Sequence, residues 1–279
     1  LELFKYTAWR PFNDENELID NYYVKDNLIN HQLFFNSATS FNDPFDLYPF
    51  LECNTTEKEL LAKSIRIVRN NEHLNFREAK IKARKLIQKK NLHSEQGRQD
   101  AIERARTILR NIGVCCFTTN SPETILMWSH YGDQHKGICL VFDLPEDGFR
   151  YQSIPDPQPR LPVLGPVPII YSGELPKANL FSYKASPFFK YVLTKSTEWA
   201  YENEYRAASY NQGLIKYDPM MLKAVIAGCK MQLREFYDLQ KTITAMPHPV
   251  NLFKAVKKQD RFGLDLNPCI KVVMNNQPT

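Results

Sequence analysis

Apolar and polar residues alternate at short range along most of this chain, and the period changes clearly over one long stretch. "ELFKYTAW" opens with aromatic and β-prone residues and predicts a first strand. In "NDENELIDNYYVKDNLINHQ", Asn13 or Asp14 can cap a helix whose first turn is acidic, as the helix dipole favours. Leu33 to Asn36 reads as a short strand leading into a polar loop that ends in Asn-Asp-Pro. From Thr56 to about Ile112 the period becomes helical. Leu61, Ile65 and Val68, then Ala79, Ala83, Leu86 and Ile87, recur without any Pro and with the single Gly97. Two or three helices are expected there, with a break near Asn91 to Gly97.

Beyond this stretch the short period returns. "GVCCFTT" (113–119) predicts a strand, and "SPETILMWSHYG" a short helix with Ser121 as cap and Pro122 in its first position. "KGICLVFD" is apolar on both faces, which suits a central strand. "IPDPQPRLPVLGPVP" holds six Pro in fifteen residues and reads as a loop without ladder hydrogen bonds. "VPIIYS" returns to strand. "FFKYVLTKSTEWAYENEYRAASY" is a helix or extended lead-in, followed by a strand over Glu204 to Tyr210. Asp218 and Pro219 start a helix ahead of a strand from Ala224 to Ala227. "QLREFYDLQKTIT" places Leu233, Phe236, Leu239 and Ile243 on one helical face, and "IKVVM" (270–274) is a last strand. The expectation is an α+β fold, with a short-stranded mixed or antiparallel sheet as the core of one domain over 1–279 and a basic helical insertion at 56–112.

Charge sharpens that division. The chain carries +5 overall, while residues 57–110 hold 15 Lys and Arg against 7 Asp and Glu, so +8. The remainder is therefore near −3. A basic segment on such a body attracts phosphates, although a solvated helical face has the same composition. The six cysteines show no C-x-x-C spacing. Cys115, Cys116, Cys139 and Cys229 sit in apolar surroundings and read as reduced core thiols of a cytoplasmic protein. No stretch approaches the roughly 18 apolar residues of a membrane span, and "LELFKYTAW" lacks the pattern of a signal peptide.

Three stretches carry candidate chemistry. "FNDPFD" (41–46) presents Asn42 and Asp43 either to a ligand or to their own backbone in an Asx-turn. "ILMWSHYGDQHKGICLVFD" packs Trp128, His130, Tyr131, Asp133, His135 and Lys136 beside an apolar strand. His130 and His135 are five apart, whereas zinc-binding helices use four, so no metal is expected there. The cluster suits a pocket wall or a decorated turn. "EWAYENEYR" (198–206) places Glu202, Glu204 and Arg206 on one side if it is extended. That arrangement suits a surface ion-pair cluster, or a site where a carboxylate holds a ribose hydroxyl and stabilises an oxocarbenium-like centre. There is no G-x-G-x-x-G, Walker loop, G-x-S-x-G elbow or H-E-x-x-H.

Together, "FNDPFD", "VCCFT" with "ILMWSHYGDQHKGICLVFD", "EWAYENEYR" and "VIAG" resemble a widespread bacterial family of unknown function. The element order also resembles ADP-ribosyltransferase folds. It runs from a strand with Lys5, Tyr6 and Thr7 through a strand with Ser37 and a strand–helix–strand with Met127 and Tyr131 to a late strand with glutamate. That resemblance implies an enzyme that cleaves the nicotinamide–ribose bond of NAD and modifies a nucleic acid or protein acceptor. It implies Glu204 as the catalytic residue with Glu202 and Arg206 beside it, Tyr6 or Thr7 holding NAD, and Tyr131 against the nicotinamide. Ser37, Asn42, Asp43, Trp128 and His130 would complete the cofactor site. Positions 5–7 read Lys-Tyr-Thr where that fold usually carries His or Arg. Two alternatives stand beside this reading. One is a nucleic-acid-binding defence or stress effector acting through the basic insertion. The other is a metal-assisted hydrolase or nuclease using Asp43, Asp46, His130 and Asp133.

Overall fold

The computed structural model describes residues 1–13, 15, 17–19, 22–53, 55–144, 164–180, 191–210 and 212–270. Along the chain run β1 (Glu2–Thr7), α1 (Tyr23–Ile29), β2 (Gln32–Ser37), β3 (Phe50–Glu52), α2 (Glu57–Glu72), α3 (Phe76–Lys89), α4 (Glu95–Arg110), β4 (Gly113–Thr118), α5 (Ile125–His130) and β5 (Ile138–Asp143). They are followed by β6 (Leu164–Pro168), β7 (Ile170–Ser172), β8 (Lys177–Asn179), β9 (Thr194–Ser196), β10 (Glu204–Ser209), β11 (Gly213–Lys216), β12 (Leu222–Ala227), α6 (Leu233–Thr244), β13 (Asn251–Lys257) and β14 (Leu264–Ile270). The chain divides into two compact units. One comprises residues 1–36, 113–169 and 200–279, and the other residues 37–112 and 170–199.

The first unit is built on a mixed sheet in the order β11-β2-β4-β1-β5-β12-β13-β14, with β10 also pairing β4 and β6. Most neighbours are antiparallel. β12 and β13 run parallel, joined through α6, as a parallel pair requires a crossover. β5 lies between β1 and β12, and its residues alternate between two apolar clusters. Ile138, Leu140 and Phe142 join Leu3, Val225 and Leu252 and the inward residues of α1 and α6. Cys139 and Val141 join Phe4, Tyr6, Ile226 and Ala255 beneath Met127 and Trp128 of α5. The unbroken apolar run of β5 is thus explained by burial on both faces.

In the second unit, α2 and α3 pack through Ile65, Val68, Ala79 and Ala83, and three helices occupy the stretch whose period is helical. Thr56 and Asn75 each cap a helix in a reciprocal capping box with the glutamate three residues on. The break between α3 and α4 falls at 90–94, and Gly97 lies inside α4. Two short parallel pairs, β3–β8 and β7–β9, complete this unit among the described residues.

Several expectations are corrected. Asp14, one of the two candidate caps, lies outside the described residues, and among these no helix starts at Asn13. Its side chain accepts from the Glu17 amide at 2.8 Å, closing a turn bridged by Phe12 and Leu18, and α1 begins only at Tyr23. Ser121 and Pro122 precede α5 as a turn, and Thr124 occupies the cap position. The end of the proline-rich stretch forms β6, which pairs β10. Asp218 caps a 3-10 turn, Pro219–Met221, ahead of β12. The last described strand, β14, ends at Ile270, so most of "IKVVM" lies outside the described residues. Cys116 and Cys229 are only half-buried, and Cys269 is exposed.

The connection from α5 to β5 is the most constrained backbone in the first unit. Asp133, Gln134 and His135 take φ of 48°, 54° and 70° in succession. Each left-handed residue with a Cβ costs roughly 1–2 kcal/mol. The turn is fastened on every side. The Trp128 carbonyl accepts from the amides of Gly132 at 3.2 Å and His135 at 3.1 Å, and Gly137 N–H donates to the Gly132 carbonyl at 2.9 Å. The Lys230 amide donates to the His135 carbonyl at 2.9 Å, and the Gly228 amide to the Gly137 carbonyl at 2.9 Å. Arg10 clamps the Asp133 carboxylate with two donors, one at 2.7 Å. Backbones approach so closely that a Cβ on Gly137 would meet the Thr7 carbonyl oxygen at 2.2 Å, and one on Gly228 the His135 oxygen at 2.2 Å.

Gly228→Ala should therefore lose about 1–3 kcal/mol of stability through overpacking. Gln134→Gly, at an exposed left-handed position, should gain about 0.5–1 kcal/mol, the relieved strain exceeding the added entropy of the unfolded chain. Urea-unfolding midpoints measure both. Unchanged midpoints in the two variants would show that the turn holds no strain and no close contact.

Candidate functional site

The chemistry of the first unit collects where β4, β10 and the end of α5 meet. β10 pairs β4 along its whole length, setting Glu204 opposite Thr118 and Arg206 opposite Cys116. Residues two apart on a strand share a face, so Glu204 and Arg206 lie side by side. Arg206 Nε donates to Glu204 Oε1 at 2.7 Å and Nη2 to Oε2 at 3.1 Å. Both residues are buried, Arg206 completely. A guanidinium without solvent needs such a two-point partner to offset its desolvation.

Glu202 does not lie on the strand. It ends a 3-10 turn, Thr197–Glu202, and Asn203 takes φ of 45° before β10 begins. The three side chains therefore do not project from one extended segment. Glu202 nevertheless reaches the same region. It is 2% exposed, and the Tyr131 hydroxyl donates to its Oε1. The Thr118 hydroxyl donates to the Glu202 carbonyl. Asn120 Nδ2 donates to the Tyr201 carbonyl at 2.7 Å, and Asn203 Nδ2 to Asn120 Oδ1 at 2.7 Å. The end of β4 is thus stitched to the turn that carries Glu202.

Burial, then the hydrogen bond to Glu202, pushes the Tyr131 phenol well above its usual range, with Glu204 adding in the same direction. Burial, then the charge of Glu204, pushes the Cys116 thiol well up. Lys5 approaches from β1 and donates to the Cys116 carbonyl at 3.3 Å. Burial works against its ammonium, but Cys115, Cys116 and Glu204 outweigh it and raise its pKa. Above these groups the rings of His130 and Tyr131 lie 6.1 Å apart, and those of His130 and Tyr201 6.2 Å apart. His130 is exposed and Tyr131 and Tyr201 are partly so. The result is a buried pair of carboxylates rimmed by three accessible aromatic rings. It can hold hydroxyl groups, accept a proton and stabilise a positive centre.

The remaining candidates make other contacts. Trp128 is fully buried, donates from Nε1 to the Pro122 carbonyl at 2.7 Å, and packs edge-on against Tyr6 at 5.0 Å. Tyr6 is itself buried, on the α5 side of the sheet, while Thr7 follows on the opposite side. Ser37, Asn42 and Asp43 belong to the second unit. There the Ser37 hydroxyl donates to the Arg110 carbonyl at 2.9 Å, and Asn42 is exposed. Asp43 Oδ1 accepts from the Phe45 amide at 2.9 Å, and Oδ2 from Trp199 Nε1 at 2.8 Å. Asp46 pairs with Lys195 at 3.9 Å, both buried, and Lys195 lies 4.9 Å from the Trp199 ring. Among the described residues no three His, Cys, Asp or Glu side chains gather as metal ligands. Asp133 is held by Arg10 as described. Thr118, Cys116, Asn120 and Lys5 are missing from the sequence-based site. For Thr118 and Asn120 the one signal is "VCCFTTN", where an apolar strand ends in three consecutive polar residues.

His135 gives the motif a pH response. Burial, then Lys230, holds its pKa below the usual imidazole value, and its Nε2 lies 3.0 Å from Ser129 Oγ. His31 is lowered in the same way, by burial and then by His248. The unfolded chain binds these protons at about pH 6.5 and the folded chain resists them, so stability is present above that value and is lost as pH falls. Urea midpoints should drop between about pH 7.5 and pH 5.5, and by less in His135→Gln than in the parent chain. An equal drop in both would remove His135 from this linkage.

Residues 127–207 match the model of a family described as a protein of unknown function (DUF2971). The matched stretch contains the left-handed turn, β5, Tyr131, Glu202, Glu204 and Arg206, and leaves out "FNDPFD" and helices α2 to α4. Comparison with curated proteins and with solved structures gives no match.

Proposed function

We propose that this chain transfers ADP-ribose from NAD to a macromolecular acceptor at the Tyr131–Glu202 site. The observation that carries the reading is the combination of a buried carboxylate pair with an accessible aromatic rim. The nicotinamide ring of NAD is planar and cationic. Rings such as His130, Tyr131 and Tyr201 attract a planar cation through stacking and cation–π contact. In this reading Glu202 accepts the ribose hydroxyls and faces the positive charge that develops at the anomeric carbon. The nicotinamide–ribose C–N bond breaks, and its electron pair leaves with the neutral nicotinamide. The acceptor nucleophile forms the new bond to the same carbon and gives its proton to Glu202. Glu204, fixed and neutralised by Arg206, holds the floor of the site rigid.

The test is nicotinamide release from NAD, read beside thermal shift. The parent chain should release nicotinamide and melt at higher temperature as NAD passes its dissociation constant. Glu202→Gln should lower release by about a hundredfold or more, since it removes the general base. Tyr131→Phe should weaken NAD binding and release while leaving the fold intact. Neither release nor a melting shift at about 1 mM NAD, a concentration well above typical substrate affinities, would end this reading.

A further inference from the structure

We propose that the solvent face of α3 docks on the phosphate backbone of a nucleic acid. The proposal concerns the second unit alone and does not rest on the NAD reading. α3 carries six basic residues, Arg77, Lys80, Lys82, Arg84, Lys85 and Lys89, against the single Glu78, whereas α2 and α4 each set three acids against four bases. Lys82 pairs with Glu72 of α2, and Glu78 is engaged in the capping box. Arg77, Lys80, Arg84, Lys85 and Lys89 have no acidic partner among the described residues.

That arrangement opposes the helix's own stability. Arg77 stands in the first turn, where the dipole disfavours cations. Lys80 and Arg84, and Lys85 and Lys89, are like charges four apart, where a surface helix gains from opposite ones. Ordinary solvation does not account for this placement, because α2 and α4 reach the same solvent with balanced charge. A polyanion relieves both penalties at once. The geometry suits one. At about 100° per residue, Arg77, Ile81, Arg84 and Lys85 share the side opposite Ala79, Ala83 and Ile87, which pack inward. Arg77 and Arg84 are two turns apart, about 10 Å along the axis. Ile81 and Phe76 are 51% and 59% exposed on the same helix, offering apolar contact beside the cations. Arginine and lysine interleaved with such groups are the usual contact set for phosphate and sugar.

Fluorescence anisotropy with labelled duplex DNA, duplex RNA and single strands, using the full chain, tests the proposal and separates the possible nucleic acids. With about four phosphate contacts, affinity should fall roughly a hundredfold between 50 mM and 200 mM salt. Arg84→Gln with Lys85→Gln should weaken binding by tenfold or more and flatten the salt slope by about two, with an unchanged circular dichroism spectrum. Lys58→Gln with Arg104→Gln removes the same charge from exposed positions on α2 and α4 and should leave affinity within about threefold, since it leaves the proposed contacts in place. Equal loss in both double variants, parental affinity in the α3 variant, salt-independent binding, or binding to phosphatidylserine vesicles but to no nucleic acid would each overturn the proposal.

Discussion

Three successive residues in the left-handed region, Asp133 to His135, set the terms for the first unit. Such a run is unfavourable for L-residues by several kcal/mol taken together, on the order of 3–6. It persists because surrounding groups over-determine it. Trp128 supplies a carbonyl and a stacking surface, Arg10 grips Asp133, and the loop after β12 closes on His135 through Gly228 and Lys230. The turn fixes where α5 ends relative to β5. It thereby fixes where His130 and Tyr131 stand over the sheet.

Burial of charge is the second constraint, and it acts on the other side of the same region. Arg206 and Glu204 lie out of water and neutralise each other. Removing one would deprive the other, still buried, of its two-point partner, which costs more than the pair contributes when intact. Glu202 also receives a hydrogen bond from the neutral Tyr131 phenol. Arg206 engages Glu204 through both oxygens, so the two glutamates are held by different kinds of donor.

Local order was readable from the sequence where a single period dominated. The apolar run 138–142 pointed to a strand buried on both faces, and the 3.6-residue period of 57–110 to helices, because in both cases burial imposes the pattern directly. Glu204 and Arg206 could be placed together since both lie on one strand. Long-range partners were not readable. Asp43 meets Trp199 from 156 residues away, and Thr118 meets Glu202 from 84 away, and neither leaves a periodic trace. Pro166 and Pro168 argued against a strand. β6 tolerates them because β10 is its single described partner, so the missing donors interrupt no second ladder. Asn13 has the chemistry of a helix cap, but the same side chain closes a turn equally well, and Phe12 and Leu18 pair across it.

The dense motif from Trp128 to Gly137 now resolves into two sets of residues with different work. Trp128, Asp133, His135 and Gly137 hold backbone, through stacking, a guanidinium clamp and close carbonyl contacts. Tyr131 reaches the Glu202 carboxylate, and His130 stands exposed beside the Tyr131 ring. The two sets are adjacent because a strained turn is a rigid one. Rigidity at the end of α5 holds the Tyr131 hydroxyl on Glu202. A flexible glycine-rich turn would be cheaper to fold and would leave that hydroxyl poorly placed. The conformational cost carried by Asp133, Gln134 and His135 is thus tied to the precision of the groups next to them. This is the relation expected where backbone strain borders a site that must be preorganised.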